Sequence, residues 1–266
     1  MRIIDRELYL CSRMIDHKRY FVELAYKGTA YHGWQIQQNA HSVQEEVNRA
    51  FSKILRNPVE VMGSGRTDTG VHAKQQFVHF DSVLDIDRAD FLKRANSILP
   101  KDIAVYDIRK VRPDAHVRFE AHWRSYEYHI TLQKQPFLEE QAWYCFYKVD
   151  VDKMNRAAAL LLEHTDFECF SRVKTSVNNF NCKIKAAYWE QKDQHLIFHI
   201  TANRFLRGMV RAIVGTLVQV GMGKIDKEDF KSVLQSQKRS KAGSSAPPHG
   251  LFLSRVTYPE DIFINP

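Results

Sequence analysis

Apolar and polar positions recur along this chain with two periods, and the changes from one to the other mark out most of its elements. Over residues 19–26 the run RYFVELAY is rich in aromatic and branched side chains and ends at Lys27-Gly28-Thr29, which predicts a strand and a turn. Ser42-x-x-Glu45 is a capping-box signature. Behind it Val43, Val47, Ala50, Phe51, Ile54 and Leu55 share one helical stripe until Asn57-Pro58 stops it. A short strand at 59–62, a glycine-bearing loop and a strand at 76–80 follow. A helix through Phe91, Leu92, Ala95, Ile98 and Leu99, ended by Pro100, and a strand at 103–111 complete the order β-α-β-β-α-β of a ferredoxin-like unit.

The second half repeats that order. A period-2 strand places Tyr126, Tyr128, Ile130 and Leu132 on one face. A helix over 152–163 precedes strands at 184–190 and 196–201, joined by Lys192-Asp193-Gln194. Helices are expected over 204–220 and 227–237, and a last strand over 251–258. Residues 240–250, SKAGSSAPPHG, are small and proline-bearing and predict a surface connection. The fold class expected is therefore α+β: two ferredoxin-like halves with antiparallel or mixed sheets, pseudo-duplicated about a central cleft, with a single mixed sheet as a variant. The division expected is an extension at 1–18, domains at 19–113 and 114–258, and a tail at 259–266.

Composition narrows the class of partner. The 266 residues are 44% hydrophobic, enough for a core without a staple, and the excess of 39 Lys+Arg over 31 Asp+Glu favours a polyanion by counterion release and steering. Cys11, Cys145, Cys169 and Cys182 are scattered without a C-x-x-C pair, so reduced thiols are expected rather than a zinc or disulfide framework. In the N-terminal stretch charges interrupt every apolar run, so neither a signal peptide nor a membrane span is expected, and the reading is cytoplasmic.

Candidate chemistry centres on Gly63-Ser64-Gly65-Arg66-Thr67-Asp68-Thr69-Gly70. Three glycines between two strands let the backbone turn sharply and bring polar side chains to a ligand, but neither P-loop nor dinucleotide spacing is present. Taken alone it is either a tight polar turn or an active-site loop. Arg204, Arg207 and Arg211, three and four apart on an expected helix, are either a solvated face or part of a site. The tyrosines alternating on the strand at 126–128 are by themselves more often packing residues than ligand contacts. His72 follows Asp68 by four and has no second histidine at H-x-x-x-H spacing, so no metal is expected.

These motifs stand in an order that resembles one family. Gly65-Arg66-Thr67-Asp68-x-Gly70-Val71-His72 is similar to the signature loop of the TruA family of tRNA pseudouridine synthases. So are Tyr31-His32-Gly33-Trp34-Gln35, Leu99-Pro100-x-Asp102-Ile103-Ala104-Val105, Ala115-x-x-Arg118-Phe119, Tyr126-x-Tyr128, Asn203-x-Phe205-x-x-x-Met209-Val210-Arg211 and Gly250-Leu251-x-Leu253. The resemblance covers residues 19–258.

It implies that Asp68 is the nucleophile that isomerises uridine to pseudouridine in the tRNA anticodon stem-loop, at positions 38, 39 and 40 in tRNA numbering, in a basic cleft and without a cofactor. Arg211 pairs with the catalytic carboxylate and Tyr126 lies against the base, completing the catalytic set. Leu251 is an apolar wall or a core residue. Arg66 helps extrude the base or contacts a phosphate. His72 is a polar support or an RNA contact, and Arg118, Arg204 and Arg207 face the RNA. A homodimer is implied as well. The rival readings are a non-catalytic RNA-binding module of the same fold and a metal-dependent nuclease, the latter short of further carboxylates near Asp68.

Overall fold

Side-chain caps and apolar stripes start the helices where the pattern predicts. The computed structural model describes residues 17–172 and 179–264; of the expected extension, residues 1–16 lie outside the described residues, as does Cys11. Ser42 caps helix α1 (Val43–Leu55) by accepting from the Glu45 N–H at 3.3 Å, and Val43, Val47, Ala50, Phe51 and Ile54 are buried. Gln44 and Glu46 share that burial because each is bonded. Gln44 donates to the Val61 carbonyl at 2.8 Å and accepts from the Ile36 N–H at 3.1 Å, and Glu46 pairs with His41 and Arg49. Asp87 caps α2 (Arg88–Ile98), accepting from the Asp90 N–H at 2.7 Å.

The strands of both halves form one sheet. In chain order they are β1 (Lys18–Tyr26), β2 (Met62–Gly63), β3 (His72–Ser82), β4 (Ile103–Val111), β5 (Trp123–Thr131), β6 (Trp143–Tyr144), β7 (Ile184–Lys192), β8 (His195–Ala202) and β9 (Leu251–Thr257). Across the sheet the order is β4-β1-β3-β9-β5-β8-β7, with β2 beside β3 and β6 beside β5. Neighbours are antiparallel except β5 with β6 and β3 with β9. The β3–β9 pair joins the halves and holds through His72 with Phe252 and Ala73 with Leu253. Two buried apolar clusters flank this seam, and Tyr126 of β5 packs against both.

Five expectations change, the fifth at residues 240–250. The strand expected at 59–62 is reduced to β2, because side chains of α1 take the backbone donors of a ladder: Ser52 accepts from the Val59 N–H at 2.8 Å and Asn48 from the Val61 N–H at 3.0 Å. The helix expected over 152–163 is α3 (Val151–Ala158) followed by a tighter turn, Ala159–Glu163. The helix expected from 204 starts later, as α4 (Met209–Gly221), because Gly208 at φ +72° holds a left-handed backbone that cannot propagate the helix. The C-terminal tail is part of the fold: Ile262 is buried, the Arg112 N–H donates to its carbonyl at 2.9 Å, and the Ile264 N–H donates to the Lys110 carbonyl at 3.0 Å. Helix α5 (Lys227–Ser236) and the strand faces stand as expected, and Phe167 and Phe170 are buried.

The segment 240–250 is not a simple surface connection. It lies on α4, where a Cβ at Gly215 would fall 1.8 Å from the Ser244 carbonyl oxygen. Thr216 accepts from the Gly243 N–H at 3.0 Å, and Tyr128 donates to the Pro247 carbonyl at 2.8 Å. Gly215→Ala should therefore lower stability by about 1–3 kcal/mol through overpacking, although alanine is the better helix former. A lower urea midpoint is the expected reading; a midpoint equal to or above wild type would show that the segment is not clamped to the helix.

Candidate active site

The loop that carries Asp68 is fixed from beneath before any charge is considered. Ser64 and Gln76 meet at 2.5 Å, Gln76 donates to the Gly65 carbonyl at 2.9 Å, and the Thr67 and Tyr26 hydroxyls are 2.9 Å apart in the interior. The segment 31–34 closes its other side. The Trp34 N–H donates to the Thr67 carbonyl at 3.2 Å and the Gly70 N–H to the Tyr31 carbonyl at 3.3 Å. Gly33 is required there: its φ is +93°, and a Cβ would sit 2.5 Å from the Thr67 carbonyl oxygen.

So held, the Asp68 side chain remains 28% exposed and faces two arginines of the second half. Its Oδ1 lies 3.6 Å from Arg207 Nε and its Oδ2 3.9 Å from Arg211 Nη1. Both distances exceed a hydrogen bond, so the contacts are those of charge. The Arg211 guanidinium is oriented by donation from Nε to the Ala246 carbonyl at 2.7 Å, and the Ala246 N–H returns a bond to the Arg211 carbonyl at 2.9 Å. Arg211 stands in the first turn of α4, while Arg207 and Arg204 precede Gly208 and are not on the helix. The expected pairing of Arg211 with Asp68 is brought together, and Arg207 joins it.

Tyr126 lies partly exposed on β5, its ring edge-on to Phe205 with centroids 5.0 Å apart. Burial of its hydroxyl pushes its pKa up to about 12; the nearby Arg124 opposes that and Asp68 adds to it. The phenol is thus protonated at neutral pH and offers a ring face and a donor. Leu251 is buried in the cluster against which Tyr126 packs. Arg66 and Arg118 are exposed, and Arg204 is partly exposed near Cys182.

His72 is placed inside the fold. It is almost wholly buried, its Nδ1 accepts from the Gly28 N–H at 2.9 Å, and Nε2 lies 2.9 Å from the Glu140 carbonyl and 3.0 Å from that of His249. Desolvation lowers its pKa, consistent with a neutral ring that donates from Nε2. The ring stacks on Phe252 at 4.6 Å.

Arg124 escaped the sequence reading. Its Nη1 donates to the carbonyls of Ala121 at 3.2 Å and Asn203 at 2.9 Å, and its Nη2 to those of Ser64 at 3.1 Å and Arg118 at 2.7 Å. Desolvation lowers its pKa. The available signal was a cation two residues before Tyr126, on the strand face that otherwise turns inward. Among the described residues no group of three or more His, Cys, Asp or Glu is placed to hold a metal ion, and no helix is long and apolar enough to cross a membrane.

Comparison with known proteins gives one answer. A family model described as tRNA pseudouridine synthase matches residues 157–259. A tRNA pseudouridine synthase A of Porphyromonas gingivalis is 50% identical over 92% of this chain and 99% of its own length. Those of Bacteroides thetaiotaomicron and Treponema denticola are 49% and 41% identical, over 92% and 94% of this chain and 93% and 97% of theirs. Similarity of that extent, over a chain that sets an aspartate of one half against two arginines of the other, makes this chain a member of the tRNA pseudouridine synthase A family.

Proposed function

We propose that this chain isomerises uridine to pseudouridine in the anticodon stem-loop of tRNA, with Asp68 as nucleophile on a uridine drawn out of its stack, in the cytoplasm. The observation that carries the reading is the Asp68 carboxylate, held on a rigid loop between Arg207 and Arg211 and electrostatically coupled to Tyr126. With the two-residue β6 set aside, each half orders its strands fourth, first, third and second, which supports a duplicated ferredoxin-like unit, and the excess of cations supports a basic cleft between the copies.

The chemistry asks little of an outside reagent. The N1–C1′ bond of uridine breaks, the uracil turns, and C5 bonds to C1′; C5 releases its proton and N1 gains one, so atoms and electrons balance. Arg211 and Arg207 place positive charge beside the Asp68 carboxylate while leaving its lone pairs free for the substrate. Extruding a base costs a few kcal/mol and least in a loop. Stacking on an aromatic ring recovers about 1–3 kcal/mol, which Tyr126 supplies while Arg66 fills the vacated place. Arg118, Arg204 and Arg207 are the phosphate contacts, and two chains form the working homodimer.

Three outcomes are expected. Tritium should leave C5-labelled tRNA with the wild type, and Asp68→Asn should lower its rate by roughly a thousandfold or more. An active variant sinks Asp68 as nucleophile, and tight RNA binding without release by the wild type would favour the non-catalytic module. Arg207→Ala should weaken tRNA binding and reduce the salt slope by about one unit, whereas an unchanged slope would confine Arg207 to its pairing with Asp68. By light scattering the protein should have twice the 31.1 kDa chain mass, and a monomer mass at micromolar concentration would remove the homodimer.

A further inference from the structure

At the turn over residues 116–119 an aromatic ring stands open beside the loop of Asp68, and the chemistry above does not use it. Phe119 is 76% exposed, although Ala115 and Val117 of the same turn are fully buried. The turn is rigid. The N–H groups of Phe119 and Glu120 both donate to the His116 carbonyl at 3.0 Å, and that of Val117 donates to Nδ1 of the buried His79 at 3.1 Å. The Arg118 carbonyl is tied to Arg124, whose same nitrogen reaches Ser64 in the Asp68 loop.

On this frame the His116 and Phe119 rings lie 4.3 Å apart at 32°, and the Arg118 guanidinium stands 5.8 Å from the Phe119 centroid. Burial, then the charges of Arg19 and Arg118, lower the pKa of His116, so its ring is neutral at pH 7 and adds π surface rather than charge. A rigid open ring with a cation beside it matches a nucleobase followed by its phosphate. Such a contact needs no sequence, and pre-ordering of the ring spares the entropy of fixing it on binding.

We propose that Phe119, braced by His116 and flanked by Arg118, is a stacking subsite for an unpaired nucleobase of the substrate RNA neighbouring the target uridine. The inference rests on the reading of this chain as a tRNA-modifying enzyme. Because the ring is exposed, its substitution leaves the core intact.

The test titrates anticodon stem-loop RNA, with 2-aminopurine at single loop positions, into protein carrying Asp68→Asn. One position should be quenched on binding. Phe119→Leu should abolish that quench and weaken affinity about tenfold, and Phe119→Tyr should restore both. Equal quench and affinity for leucine and phenylalanine overturn the subsite, as does a change of oligomeric mass without a change of RNA affinity, which would make Phe119 a protein contact. A quench that depends on Phe119 in a wild type that releases no tritium leaves the subsite standing and removes the isomerase; tritium release with no such quench does the reverse.

Discussion

The two halves of the sheet meet through two residue pairs, His72 with Phe252 and Ala73 with Leu253, and the site depends on that seam. Asp68 lies four residues before His72 on the first half, and Arg207 and Arg211 belong to the second. A shift of one residue in the pairing would turn the side chains of β9 to the other face of the sheet and move the carboxylate away from its cations. So short a ladder cannot hold the register alone. His72 reinforces it by binding Gly28, Glu140 and His249 while stacking on Phe252, which joins strand, loop and the segment before β9 through one buried ring.

Arg124 performs the corresponding task at the other side of the loop. Removing a guanidinium from water is costly unless its donors are satisfied, and here four carbonyls from three segments accept from its two terminal nitrogens. Those segments are the loop of Asp68, the turn of Phe119 and the residue before Arg204, so one cation sets the spacing of these three parts. Asp68 has the opposite arrangement. It meets charge at 3.6 and 3.9 Å without a short side-chain hydrogen bond among the described residues, so its oxygens remain available.

The segment 240–250 shows how composition misleads. Small residues and Pro247-Pro248 have the look of a surface connection, yet small side chains are what let its backbone lie on Gly215, accept from Tyr128 and hold Arg211. Only the close approach of another element distinguishes a loose loop from a tightly packed one. The basic stripe misled in a related way: a spacing of three and four reads as a helix, but Gly208 breaks it, so that Arg207 and Arg211 converge on Asp68 from a loop and a helix.

By itself the sequence determined the element order, the capped helix behind Ser42, the alternating strand through Tyr126 and Tyr128, and the loop that displays Asp68, because these depend on neighbours within a turn or two of chain. It also carried the family resemblance and, through it, Arg211 as the partner of Asp68. Only the tertiary structure decided that the halves form one sheet, that His72 and Leu251 are buried, that the C-terminal residues dock on β4, and that Arg124 links the walls of the site. Each of these is a contact between segments tens to hundreds of residues apart. Periodicity reports which face of an element turns inward, but not which distant backbone it meets there.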